Sequence, residues 1–242
     1  MHIYDYTDKD NPFLSDETSI KAIRDNNNYY PSVTTILKVI PNHFLDKWKC
    51  AKYVELARVH FDADAEKISE LAWGQVTTPY GETVSSSEFG TKAHEALELY
   101  FDDVEGDKKW REFVSQAYEN IISQEIIPQK TEFLVSDHDL RVAGSIDLLA
   151  KQNDMYVLLD YKFRKCKDRG KFYDSDCYQL SIESFFVQQL YNLSYIPKVC
   201  SVCIDNSSGV PYFKWWSKKK VDKGIQVFLD ARDLYFTLNN IN

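Results

Sequence analysis

The stretch Gly144-Ser145-Ile146-Asp147-Leu148-Leu149-Ala150, followed by Gln152-Asn153-Asp154 and then Val157-Leu158-Leu159-Asp160-Tyr161-Lys162, decides the reading of this chain. Two apolar runs separated by a natural tight-turn pair, Asn153-Asp154, predict a β-hairpin. Centring the turn on that pair sets Asp147 opposite Asp160 on the next strand, with Cβ atoms about 5 Å apart. Like charges so placed destabilise a sheet, and each carboxylate interrupts an apolar strand where its burial is costly. Lys162 stands two residues beyond Asp160 and projects from the same face. Two carboxylates and an ammonium on one face suit a divalent cation bound through oxygen, such as Mg2+ with retained waters and a phosphate oxygen. The plainer alternative is a buried Asp–Lys ion pair beside an ordinary aspartate near a turn.

Outward from this hairpin, period-two alternation predicts strands over Glu132–Val135, Leu140–Ala150 and Met155–Phe163. Helical spacing follows over 176–193. A second hairpin spans 198–205 and 211–217, and Ile225, Phe228, Leu229 and Phe236 mark a C-terminal helix. Upstream, one helix covers 91–101 and another runs through Trp110, Val114, Ala117 and Ile121 until Pro128. Ser32 caps a short helix that closes before Pro41, and Phe44, Trp48, Ala51 and Val54 predict an amphipathic helix over 44–59. Residues 60–89 stay open, with Asp62–Leu71 as a helix and Gly74–Ser87 as a loop, together a helical arch or an insertion. Residues 1–30 read as an irregular polar arm. The expected fold class is α/β: a central mixed β-sheet flanked by helices, with an N-terminal helical part, in a single domain over 31–242.

The chain has 242 residues, 44% hydrophobic and 14% aromatic, enough for one sizeable core. No apolar run approaches the ~18 residues of a membrane span, and the first residues form no apolar signal segment, so a cytosolic protein without membrane contact is expected. The net charge of −8 repels polyanions, so any nucleic-acid binding must rest on local basic patches or bound cations. Two such patches are Lys162–Lys171 and Lys214–Lys223, the latter around Trp215-Trp216; one of those indoles, or Tyr29-Tyr30, could stack on a base. The five cysteines are odd in number and irregular in spacing, as free thiols are. Cys200 and Cys203, three apart on a strand, face opposite sides, so no iron–sulfur cluster is expected.

Five motifs in order over roughly residues 30–200 resemble the PD-(D/E)XK nuclease superfamily, and within it the RecB-like branch of phage exonucleases and the mitochondrial genome maintenance exonuclease. Gly144-Ser145-Ile146-Asp147 is similar to its G-x-x-D element and Asp160-Tyr161-Lys162 to its (D/E)-x-K element. Gly90-Thr91-Lys92-Ala93-His94 resembles its G-x-x-x-H helix start. Pro31-Ser32-Val33-Thr34-Thr35-Ile36-Leu37, with Trp48 following, resembles its PSVT-x-I-L opening, and Gln179 sits where the branch has Q-x-x-x-Y. Glu183 stands where that motif has tyrosine; Tyr178 or Tyr191 as substitutes, or Glu183 acting on the metal, are the alternatives, and Gln188 or Gln189 are rival motif residues.

The resemblance implies a Mg2+- or Mn2+-dependent DNA exonuclease in which metal-activated water hydrolyses the phosphodiester. His94, Asp147, Asp160 and the carbonyl of Tyr161 would hold the metal. Lys162 would assist the water, and Gln179 would orient Lys162 or a phosphate. Glu132 and Glu183 would stand behind these ligands or on a second metal. Ser32, Thr34, Arg164, Lys165 and Lys167 would meet the DNA, as a single strand or a duplex end. A phage recombination role, with a recombination or single-strand-binding partner, is the analogy this carries. A non-catalytic nucleic-acid binder and a site-specific endonuclease are the rival readings.

Overall fold

The computed structural model describes residues 1–8, 12–41, 43–72, 74–166 and 169–241. Lys167 and Asp168 therefore lie outside the described residues, as do the side chains of Phe44 and Trp48. A five-stranded sheet has β6 (Ile127–Asp137), β7 (Val142–Gln152), β8 (Met155–Arg164), β9 (Lys198–Asp205) and β10 (Pro211–Trp215) in the order β10-β9-β8-β7-β6. The meander β6–β8 is antiparallel, β8 and β9 are parallel, and β10 returns antiparallel to β9. The sheet is thus mixed, as the sequence predicts.

The β7–β8 turn has Asn153 and Asp154 at φ of 50° and 60°, with Gln152 opposite Met155. Both turn residues are left-handed, the geometry that matches strand twist in a two-residue hairpin. The register also follows the expected one: Ala150 faces Val157 and Leu148 faces Leu159.

Apolar residues alternate on the central strands and feed two cores. On one face Leu158, Val199 and Leu149 pack with Leu180, Ile182 and Phe186 of α7 (Asp174–Leu190) and Phe228 of α8 (Lys218–Asn239). On the other, Val157, Leu159, Val202 and Ile204 pack with α5 (Ser86–Phe101) and α6 (Lys108–Ser123) through Phe89, Leu97, Trp110 and Val114. Because β8 and β9 run parallel, they need a long crossover, and α7 supplies it.

Upstream of α5 the structure departs from expectation. The described residues of the expected irregular arm hold regular structure: β1 (Ile3–Asp5), β2 (Phe13–Leu14) and β3 (Tyr29–Pro31) form a small sheet, with α1 (Ile20–Asp25) between β2 and β3. Strands this short carry too few alternations to show in sequence. Tyr30 is buried, stacks on Tyr6 at 4.6 Å between centroids and hydrogen-bonds His138, so its ring is used in packing. α2 (Val33–Leu37) begins where Ser32 predicts, and α3 (His43–Val59) and α4 (Ala65–Ala72) follow. Gly74–Ser87 is not a loop. It holds the hairpin β4 (Gln75–Thr77) and β5 (Thr83–Ser85) and the first turn of α5. Ser85 Oγ accepts from the Glu88 amide at 3.1 Å, which caps α5 five residues before the predicted start.

Candidate active site

The β7–β8 ladder stops at Leu148–Leu159, one step short of Asp147 and Asp160. There the Tyr161 amide donates to Asp147 Oδ2 at 2.6 Å instead of to a strand carbonyl. Ile146 joins the α7–α8 core while Leu148 joins the α5–α6 core, although a regular strand would place both on one face. Opposite this point Glu132 has φ of 39°, an uncommon value for a non-glycine residue in a strand. The strands therefore open at Asp147. Its carboxylate fills the gap between β7 and β8 rather than facing Asp160 directly.

α5 brings His94 to this opening, with Nδ1 3.6 Å from Asp147 Oδ2. His94, Glu132 and Asp147 each offer a ligand atom, and the three atoms lie within 4.8 Å of one another. Ser145 Oγ steadies Glu132 by donating to Oε2 at 2.9 Å. Burial, then the charge on Lys162, lowers the pKa of His94, so its ring favours the neutral form that can ligate a metal. Burial, then the charge on Asp160, pushes Asp147 well above the usual carboxylate range.

On the α7 side Lys162 Nζ lies 2.5 Å from Asp160 Oδ1. Burial opposes the ammonium, but Asp160 and then Asp147 outweigh it and raise the Lys162 pKa. Lys162 is therefore a cation at neutral pH, able to donate to a phosphate oxygen. Asp160 is 1% exposed and its Oδ2 has no hydrogen-bond partner. Glu183 of α7 is equally buried, and its Oε2 is likewise unpartnered. Buried polar atoms are normally satisfied, and two unpartnered carboxylate oxygens in one acidic neighbourhood are compatible with a bound cation.

Gln179 Nε2 donates to Glu183 Oε1 at 3.2 Å, so its partner is Glu183 rather than Lys162. A Cβ at Gly144 would lie 3.1 Å from Glu183 Oε1 and 3.2 Å from Val33 Cγ2. This is the physical reason for glycine at position 144: Glu183 and Val33 occupy the space a side chain would need. Gly144→Val is expected to cost about 1–3 kcal/mol by overpacking, read as a lower midpoint in urea unfolding.

Of the four expected ligands, His94 and Asp147 fall in this three-residue group and Asp160 does not. His94 and Asp147 meet Glu132, while Asp160 is tied to Lys162. Thr34 is exposed and lines a pocket with Lys162 and Gln179. Lys165 is also exposed. Two other residues expected to meet nucleic acid are engaged within the protein. Ser32 is buried, with its hydroxyl bonded to Thr35 at the start of α2. Arg164 makes a two-pronged pair with Asp176 at 2.8 Å and 2.8 Å, and so ties the end of β8 to the first turn of α7. Trp215 and Trp216 are both half-buried, one against each core, and Trp216 donates to Ser201 Oγ. Tyr4 of β1 was not anticipated. Burial, then Glu183 and Glu132, pushes its phenol up to about 12, so the N-terminal sheet reaches the acidic neighbourhood.

Solved structures resemble the chain in part. One is a "putative exonuclease" from Eubacterium rectale, with TM-score 0.43 and 7% identity over 60% of this chain and 68% of that one. Another is SSO0001, with TM-score 0.29 and 12% identity over 78% of this chain and 86% of that one. By sequence, no family pattern and no curated protein matches. Among the described residues, no helix is long and apolar enough to cross a membrane.

Proposed function

We propose that this chain is a divalent-metal-dependent deoxyribonuclease of the PD-(D/E)XK type, acting from DNA ends. The observation that carries this reading is the meeting of His94, Glu132 and Asp147 within 4.8 Å beside the Lys162–Asp160 pair, where β7 and β8 part. The donor set fits Mn2+ or Mg2+: two carboxylates suit a hard cation, and one imidazole tilts the site toward manganese. His94, Glu132 and Asp147 would hold the ion, with the orphaned oxygen of Asp160 and the carbonyl of Tyr161 as further ligands. Bound there, a divalent ion lowers the pKa of its water and offsets charge on the phosphate.

The chain's own residues do the rest. Lys162 stays charged and donates to a phosphate oxygen, so that negative charge building up in the in-line attack meets a fixed cation. Asp160 holds that ammonium in place. Burial, then Asp160, raises the Glu183 carboxyl well above its usual range. Gln179 fixes Glu183, and Thr34 lines the approach.

Incubating linear and covalently closed circular DNA with the protein in Mg2+ or Mn2+ tests the reading. Linear DNA should be degraded and circles spared. Equal cutting of circles would replace an end-dependent enzyme with an endonuclease. Binding without cleavage of either would leave a nucleic-acid binder on a nuclease-like fold.

A further inference from the structure

We infer that a basic, aromatic cleft adjoining the candidate active site holds a single strand of nucleic acid and leads it to Lys162. The inference rests on the nuclease reading above for the destination of the strand, and on separate observations for the cleft itself. Gly170, between β8 and α7, lies directly on Tyr212 of β10: a Cβ at Gly170 would sit 2.6 Å from Tyr212 Cβ and 2.7 Å from the Phe172 ring. Glycine permits that approach, and it joins the two basic runs that sequence shows far apart. The resulting cleft, of about 970 Å³, is lined by Arg169, Lys171, Phe172, Tyr173, Tyr212 and Lys214 among others. A second pocket of the same size contains Lys162 and Gln179 and shares Phe172, Tyr173 and Asp174 with the first. The two pockets therefore adjoin along Phe172, Tyr173 and Asp174.

Its chemistry matches one ligand class. Arg169, Lys171 and Lys214 are exposed cations on a chain whose net charge is −8. The carboxylate within the cleft, Asp174, is paired with Lys220 at 3.1 Å. Tyr173 is 50% exposed, and the Arg164 guanidinium sits 4.6 Å from its ring centroid. Cations along a groove meet phosphates, and exposed rings stack on bases. In a duplex the base faces are already stacked on one another, so an exposed ring in a groove favours an unpaired strand.

Binding of a fluorescent oligothymidylate, compared with a hairpin duplex, in EDTA reads the cleft without turnover. The double variant Lys171→Ala/Lys214→Ala should bind the single strand roughly tenfold more weakly, and its slope of log affinity against log salt should be shallower by about 1.4. Tyr173→Ala should weaken binding about tenfold with little change in that slope, and its backbone amide can still donate to Asp176. Circular dichroism confirms that each variant folds. Unchanged affinity and slope in the variants, or a duplex held as tightly as the single strand, would overturn the inference. Hydrolysis of a small aryl phosphodiester by the unaltered protein in Mn2+ reports separately on the catalytic reading; its failure would sink that reading and leave the binding result to judge the cleft.

Discussion

Lys162→Met is expected to remove turnover and to make the protein markedly easier to unfold. Its ammonium is 2.5 Å from an aspartate that is 1% exposed. Deleting one partner of a buried pair strands the other charge, at a typical cost of about 3–5 kcal/mol. Protonation of Asp160 would relieve part of that cost. On the catalytic side, loss of a fixed cation at the developing phosphate charge should slow phosphodiester cleavage by about 10²–10³-fold. The double variant Lys162→Met/Asp160→Asn separates the two effects. It carries no stranded charge, so stability should largely return while activity stays lost. A single variant with full activity would remove Lys162 from the mechanism.

Asp147→Asn is expected to move two observables in opposite directions. An amide oxygen can still accept the Tyr161 amide, so the opening between β7 and β8 keeps its hydrogen bond. Removing the carboxylate also removes its repulsion with Asp160, so the metal-free variant should melt higher than the parent. Metal affinity should collapse, read as loss of the Mn2+-induced rise in melting temperature. The pH dependence follows from the sign of the shifts. Burial, then Asp160, raises Asp147, and Glu183 shifts the same way. The folded chain then holds these protons more tightly than the unfolded chain does. The part of stability in EDTA that depends on them should be greatest below the ordinary carboxylate pKa of about 4 and fall as pH climbs toward the raised values. Melting temperatures from about pH 7 to 8, above the range in which deprotonation of buried His94 adds stability, should therefore decline, and decline less in Asp147→Asn. A parent protein that melts higher as pH rises over that range would refute the buried, mutually repelling carboxylates.

The central sheet was legible because its signals are local. Asn153-Asp154 fixes the turn, the turn fixes the register, and period-two alternation assigns each apolar residue to a core. Asp147, Asp160 and Lys162 stood out because polar residues in apolar strands are conspicuous, whereas His94 stood out only through the family resemblance of Gly90–His94. The remainder depends on long-range contacts. Glu132, which the resemblance set behind the ligands or on a second metal, stands among the ligand atoms where its backbone turns to positive φ opposite Asp147, which composition does not reveal. Tyr4 reaches the acids only because β1 pairs with β3, from a segment too polar and too short in period to announce strands. Arg164 looked like one more cation in a basic run, and only Asp176, at the far end of the following loop, shows that its work is internal. The start of α5 was hidden because Ser85-Ser86-Ser87 reads as a loop until one hydroxyl is seen to cap the helix.

The parallel pairing of β8 with β9 has a consequence for biosynthesis. β9 cannot dock until the whole of α7 has been laid across the sheet, and pairing over such a separation is slow to form. The meander delivers Glu132, Asp147, Asp160 and Lys162 from adjacent segments, but Gln179 and Glu183 arrive only with the crossover. A polypeptide released from the ribosome before Lys198 therefore gathers acidic groups without the strand that supports Lys162 from its far side. Fragments that end before Lys198 are therefore expected to lack a formed site.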